Sequence, residues 1–336
     1  MRSWLLPTRV VHVHLTRVCN LACAHCYSSS GPSSKGGLDL GSTLDALSVL
    51  RAHHYEVVSV SGGEPFVYPE LDEFIRGSAN LGYQINLVTN GTLISEARLQ
   101  RILGYLNLVA VSLDGAPDRH NAIRGRPDAF SKACAGIEVL RTLGVPFAIS
   151  FCVSGRSLPD LQWVYEFSDE VGAKILHLHP LVMVGRAKEE CTDIALRGTD
   201  RARLFLAAEI LNTRCKCPRV QVDLAPVDEL VDFCEQLSRR GDTQKHLLSD
   251  VVNPLVLDEK GRLFPFAYGI DQEYLVGRIG KNLSSEISKF LGTAQGGIKA
   301  LVEAASIEAR ASQEQFVEWY EHMVTASQIA GSRHAG

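Results

Sequence analysis

Between residues 9 and 210 the sequence alternates short runs of Val, Ile and Leu with amphipathic stretches, and that alternation restricts the chain more than any other feature in it. The runs are Val10–Leu15, Val57–Ser61, Ile85–Thr89, Leu108–Leu113, Pro146–Val153 and Ile175–His179. Apolar, β-branched segments this short read as strands. Helical patterns lie between them. Ser42–Ala52 has Ser42 placed as its N-cap and apolar positions at Leu44, Leu47 and Leu50. Pro69–Leu81, Ser95–Leu103, Ala129–Leu143 and Leu158–Val171 are the others. Strand–helix repetition calls for parallel pairing through helical crossovers. Six units are too few for a complete eight-stranded barrel. Periodicity therefore leaves an open partial barrel and a doubly wound sheet.

After Ile210 the alternation stops. Asn253–Asp258 and Gly261–Phe266 read as two strands around the turn Asp258-Glu259-Lys260-Gly261. Helical patterns follow over Ser284–Leu291 and, as one long helix, Ile298–Met323. The expected division is a core over 8–210, a smaller α+β extension over 211–325, and a tail over 326–336 that frays.

Lys+Arg 34 against Asp+Glu 38 gives a formal charge of −4. With no basic excess, sequence-independent phosphate binding has no driving force, and no nucleic-acid partner is expected. Pro7 and Arg9 interrupt the apolar stretch that a signal peptide needs. No run of about 18 apolar residues exists, so no membrane partner is expected and the chain reads as a cytoplasmic protein.

The sequence has nine cysteines. In a reducing compartment they point to metal, catalysis or packing rather than disulfides. Cys134 and Cys152 stand alone and read as packing. Cys191, Cys215, Cys217 and Cys234 are scattered, with Cys215-Lys216-Cys217 a tight pair that leaves a second metal open. Cys19, Cys23 and Cys26 follow directly on the first strand. Three readings compete there. Cysteines are often buried as small hydrophobes, but three fall here within one strand-to-helix loop. Structural zinc needs four closed ligands, and no second knuckle follows at a suitable distance. Three thiolates suit an iron–sulfur cluster with one iron left open for a non-protein ligand.

The spacing C-x3-C-x2-C after a first strand resembles the radical S-adenosylmethionine (SAM) superfamily. That resemblance implies one 4Fe–4S cluster on Cys19, Cys23 and Cys26, with the amino and carboxylate groups of SAM on its open iron. His25 stands before the third cysteine, where the family usually has an aromatic residue, and Tyr27 adds a ring beside it. Ser61-Gly62-Gly63-Glu64-Pro65 matches the family's Gly-Gly-Glu motif for the SAM amino group. Alone it is a turn, although two glycines do let backbone approach a ligand closely and a carboxylate or free carbonyl accepts from an ammonium. Thr89-Asn90-Gly91 and Ser112-Leu113-Asp114-Gly115 are turn formers in isolation. By resemblance they bring Asn90, Ser112 and Asp114 to the SAM ribose and the substrate. Arg124, in His120-Asn121-Ala122-Ile123-Arg124-Gly125, is a candidate partner for the SAM carboxylate or a substrate anion, with a surface salt bridge as its ordinary alternative. Ser150 faces the adenosine or is a satisfied core hydroxyl. The resemblance covers residues 8–210 and favours the α/β partial (β/α)6 TIM-like barrel over the doubly wound sheet.

Gly185-Arg186-Ala187 resembles the end of the barrel in members that carry a twitch or SPASM extension for auxiliary clusters, and Asn253–Gly280 resembles the hairpin and loop of that extension. The position where those relatives carry a cysteine is Phe266 here, and no cysteine lies in the 9–15 residues before Gly261. The extension is therefore expected to lack its auxiliary cluster. His12 and His14 share one face of the first strand, and His177 and His179 one face of the sixth. They line a barrel interior as acid–base or anion-contacting groups, or they pack against covering helices.

The resemblance implies reductive cleavage of SAM to methionine and a 5′-deoxyadenosyl radical that takes hydrogen from an unactivated C–H bond, with a flavodoxin- or ferredoxin-type electron donor. The favoured substrate is a small biosynthetic intermediate, such as a sugar, nucleoside or amino acid. A ribosomally made peptide is the alternative. It is disfavoured because the missing auxiliary cluster removes a second electron acceptor, and because no leader-binding domain is expected before a first strand that starts so early. A regulatory iron–sulfur or zinc protein without catalysis is a remote third reading, which leaves Gly62-Gly63-Glu64 unexplained.

Overall fold

The first six strands follow one another both along the chain and in space: β1 (Val10–Thr16), β2 (Val57–Gly62), β3 (Gln84–Thr89), β4 (Leu106–Ser112), β5 (Phe147–Val153) and β6 (Ile175–Pro180). The structure is a computed structural model that describes residues 8–214, 217–239, 247–293 and 295–334. A seventh strand, β7 (Arg219–Val222), continues the series, and every neighbouring pair is parallel. A doubly wound sheet reverses its strand order at a switch point. Here the order from β1 to β7 runs without reversal, which is the winding of a barrel.

Helices α1 (Leu40–Ala52), α2 (Leu71–Asn80), α3 (Glu96–Gln100), α4 (Pro117–Arg124), α5 (Ala129–Thr142) and α6 (Leu161–Glu170) connect the strands. On β1 the residues Val11, Val13 and Leu15 are fully buried in the core shared with these helices, as are Leu176 and Leu178 on β6. The alternate residues, His12, His14, His177 and His179, therefore take the other face. In a flat sheet five strand spacings of about 4.8 Å would hold β1 and β6 about 24 Å apart. Yet the charges of His177 and His179 act on the ring of His12. The sheet is curled, and the histidine face is its lumen. Small polar residues continue that face in register: His12 is opposite Ser59, Ser59 opposite Asn86, and Ser112 opposite Ser150.

Several expectations are corrected. Ser42 is not the cap of α1. Its N–H and hydroxyl each donate to Asp39 Oδ1 at 2.8 Å, so Asp39 is the cap and the helix starts two residues earlier. The boundary at 210 falls inside α8 (Gly198–Arg214), which follows the short α7 (Ala187–Glu190) and leads into β7. Beyond it come β8 (Ala225–Pro226), α9 (Val227–Arg239), α10 (Leu248–Val251) and a hairpin of β9 (Leu255–Leu257) and β10 (Arg262–Pro265). The two-residue strand β11 (Gly277–Arg278) pairs with β10. The hairpin joins the barrel: β9 lies parallel to β1, with Val11 opposite Leu255, completing a ten-stranded sheet. After α11 (Leu283–Thr293), the expected helix Ile298–Met323 is two helices. These are α12 (Gln295–Ala311) and α13 (Trp319–His334), separated by Gln313 at φ 57° and by β12 (Phe316–Val317), which pairs with β8. The tail expected to fray after residue 325 continues α13 to His334, held where Met323, Val324, Ala326 and Ser327 are buried; 335–336 lie outside the described residues. Among the described residues no helix is long and apolar enough to cross a membrane.

Candidate active site

The loop carrying Cys19, Cys23 and Cys26 leaves the carboxyl end of β1 and is pinned by backbone on all sides. Gly63 N–H donates to Thr16 O at 2.7 Å and Glu64 N–H to Val18 O at 3.0 Å. A Cβ on Gly63 would stand 2.1 Å from Val18 O, and one on Gly62, at φ 113°, would stand 2.6 Å from Thr16 O. The two glycines thus serve a close approach, as their pattern suggests, but the partner is the root of the cysteine loop.

Glu64 is fully buried, and its carboxylate is occupied by protein donors. Thr89 Oγ1 and Asn90 N–H donate at 2.8 Å and Phe66 N–H at 3.1 Å. This side chain ties the end of β2 to the end of β3. Burial raises its pKa from the ordinary value against the pull of those donors. Asn90, so positioned, donates through Nδ2 to Asn20 Oδ1 at 2.8 Å and to Cys19 Sγ at 3.8 Å.

A second buried group supports the loop from β4 and α4. Arg124 Nε donates to Asp114 Oδ2 at 2.5 Å, and Arg124 Nη1 lies 3.8 Å from Cys23 Sγ. His25 Nε2 is 3.3 Å from the same Asp114 oxygen, and Cys152 N–H donates to Asp114 Oδ1 at 3.2 Å. His120 Nδ1 accepts from Asp114 N–H at 3.1 Å. Burial lowers His120 to about 4, so the ring is neutral, with its proton on Nε2. The Arg124 and His25 charges hold Asp114 well below the carboxylate range, overcoming its desolvation. Arg124 is thus paired within the protein, in the interior rather than at the surface. Ser112 is the last residue of β4, half-buried beside Ser150.

Sequence reading missed the role of Arg186. Its N–H donates to Cys26 O at 3.0 Å, Nη1 to Cys23 O at 2.5 Å and Nη2 to Ser30 O at 2.8 Å. Gly185 before it lies so close that a Cβ would meet Tyr27 O at 2.1 Å. The string Gly185-Arg186 was visible as a barrel terminus, while its reach to a loop far back in sequence was not.

The donor set fits a multi-iron cluster. Cys19, Cys23 and Cys26 are free thiols. Their sulfurs take N–H donors from Leu21 at 3.4 Å, Ser30 at 3.3 Å, Asn90 and Arg124, the kind of hydrogen bonding that tunes iron–sulfur centres. Desolvation pushes Cys19 up to about 12 and raises Cys23 as well, so metal binding must displace protons from these two thiols. Among the described residues the one trio of His, Cys, Asp or Glu donors gathered within 4.8 Å lies elsewhere. The cysteine sulfurs are thus spread more widely than the roughly 3.8 Å edge of a tetrahedral zinc–thiolate site.

Among the described residues the other cysteines form no group of three metal-ligating side chains, although Cys152 packs beside Cys191. Cys191 is buried with Leu181, Ala187 and Ile194, Cys234 is buried in the main core, Cys217 is exposed, and Cys215 lies outside the described residues. Phe266, at the position of the expected ligand, is buried at φ 66°. In the lumen His14 stacks on Tyr268, with centroids 4.7 Å apart, and lies 3.4 Å from Tyr27 OH. Burial lowers His12 to about 4 and His14 to about 3. Across the lumen Asp223 holds His177 Nε2 at 2.7 Å and His179 Nδ1 at 2.6 Å.

Residues 13–167 match the radical SAM superfamily model. The AdoMet-dependent heme synthase of Methanosarcina barkeri is 35% identical over 192 residues, covering 54% of this chain and 53% of that protein. The antilisterial bacteriocin subtilosin biosynthesis protein AlbA of Bacillus subtilis is 26% identical over 178 residues, covering 52% and 40%. The chain spans about half the length of the curated relatives it matches. Among solved structures, native anSMEcpe with bound AdoMet superposes with a TM-score of 0.64 at 18% identity, covering 97% of this chain and 98% of that one.

Proposed function

The chain belongs to the radical SAM superfamily, whose members use a 4Fe–4S cluster and SAM, and from that premise we propose that it abstracts hydrogen from a small-molecule biosynthetic intermediate. Cys19, Cys23 and Cys26 would hold the cluster. When bound, cluster and SAM supply reductive carbon–sulfur cleavage and the removal of hydrogen from an unactivated carbon. The protein's share is position and exclusion of water. Arg186 and Glu64 fix the loop, and Asn90 and Arg124 donate toward its sulfurs. Gly62, Gly63, Ser112, Asp114 and His25 complete the wall against which SAM would lie. A flavodoxin- or ferredoxin-type protein would deliver the electron.

The observation that carries the small-molecule reading is the lumen. Four histidines, Tyr27, Tyr268 and Asp223 line it, a concave surface that suits a compact, polar or anionic molecule. The heme-synthase relative acts in the making of a small molecule, which agrees with this reading. A peptide substrate is the second reading, favoured by the likeness to a bacteriocin biosynthesis protein. Anaerobic reconstitution with about four iron per chain, followed by dithionite and SAM, should release 5′-deoxyadenosine. A fully loaded protein that releases none overturns the proposal. A precursor-peptide gene beside this one, whose product but no small molecule accelerates that release, replaces the first reading by the second.

A further inference from the structure

On β6, side chains alternate between the helix layer and the lumen, so His177 and His179 project to the same side. They reach one carboxylate through different atoms, His177 through Nε2 and His179 through Nδ1. Their ring centroids are only 3.8 Å apart. The carboxylate belongs to Asp223, the residue directly after β7, which pairs with β6. The different nitrogens compensate for the different depths of the two rings and bring both lone-pair donors to one point. Two nitrogens and one oxygen then lie within 4.8 Å of one another. Each of the three residues is half-buried, so the cluster borders the cavity rather than being sealed from it.

We propose that His177, His179 and Asp223 are the three ligands of a single divalent transition-metal ion in the barrel lumen, separate from the cysteine loop. Two imidazoles and a carboxylate are a donor set for zinc or ferrous iron, and three protein ligands leave positions open. Those positions face the lumen, where an anionic oxygen of a bound molecule can complete the shell.

The surroundings agree with a cation here. Burial would raise Asp223, but its contacts with His177 and His179 hold it below the carboxylate range, and its charge also reaches His12. Glu318, buried nearby, is pushed up to about 8 first by burial and then by the Asp223 charge. Tyr320 feels both carboxylates. His12 faces the cluster from β1 as a neutral ring. Asp223 and the buried Glu318 beside it are acidic groups whose confinement a divalent ion would relieve.

The test uses the metal alone. In a C19A/C23A/C26A chain stripped with chelator, Co2+ should bind at one equivalent per chain with visible ligand-field absorption, and Zn2+ should displace it. D223N and H179Q, each made in that background, should weaken Co2+ binding by about 100-fold or more, since a lost ligand costs at least as much as a lost outer-shell partner. Absence of the absorption, or absorption that neither substitution changes, overturns the site. Should the triple variant fail to fold, zinc content of the cluster-loaded wild type and its D223N variant decides: one equivalent lost with Asp223 supports the site, and equal content refutes it. Neither measurement depends on SAM cleavage, so this proposal and the catalytic one fail separately.

Discussion

Arg124 Nε and Asp114 Oδ2 are 2.5 Å apart in the interior, and the same guanidinium reaches Cys23 Sγ at 3.8 Å. A buried ion pair can be nearly neutral for stability as a whole, yet removing one partner leaves a desolvated charge and costs roughly 3–5 kcal/mol. Asp114→Ala and Arg124→Ala should each lower the urea midpoint strongly, while D114L/R124M should fall less than the sum of the two. A strictly additive double mutant would show that the pair is not coupled.

The same carboxylate has a pH signature. Its pKa in the folded state is depressed, so its stabilisation is complete above the ordinary aspartate value of about 3.9 and declines as pH falls below it. Stability of the wild type between pH 4 and lower values should drop more steeply than that of Asp114→Asn.

The histidines act in a separate, higher window. His12 and His14 are lowered to about 4 and about 3 by burial, so the unfolded chain takes up their protons first. Their contribution is complete above about 6.5 and is lost as pH falls from there toward the folded values. The urea midpoint at pH 5 should therefore lie below that at pH 7.5, and His14→Gln should reduce the difference. An identical pH slope in the variant would rule His14 out as a source.

Glu64→Ala should unlatch the end of β3. Three donors lose a buried acceptor, and each unsatisfied buried group costs about 1–3 kcal/mol. A clear fall in melting temperature and increased hydrogen exchange at Asn90 N–H are expected. Unchanged exchange at Asn90 would separate Glu64 from that loop.

Two glycines give opposite outcomes on receiving the same methyl group. Gly63→Ala must displace Val18 O from 2.1 Å, which moves the cysteine loop, so iron loading should fail or fall sharply. In Gly297→Ala the methyl meets nothing within 4 Å and lies in α12, where Ala is favoured over Gly by up to about 1 kcal/mol. Normal iron loading in Gly63→Ala would dissociate the contact from cluster assembly.

The six barrel strands were legible because their apolar runs are period-two on one face and fully buried on the other. Val11, Val13 and Leu15 against His12 and His14 show both patterns in one strand. What the sequence hid was long-range partnership. The four residues of β7 carry too short a pattern to register alone, and they are strand because β6 offers an edge beside them. The break between α12 and α13 depends on β12 finding β8, which local propensity cannot encode. At the site, cysteine spacing spoke directly, whereas the protein partners of Glu64 (Phe66, Thr89 and Asn90) and the pairing of Asp114 with Arg124 appear only in the fold. Gly185-Arg186 was visible only as a barrel terminus, because the three acceptors of Arg186 lie far earlier in the chain.

The parallel pairing of Val11 with Leu255 sets an order of events during synthesis. The strand that leads into the cysteine loop is made before β9, so one of its two edges stays bare until the β9 hairpin has followed it. Domains complete folding as their distant contacts become available. The loop's parent strand is therefore made well before it has both neighbours, and a native frame for iron delivery exists only once the β9 hairpin has left the tunnel.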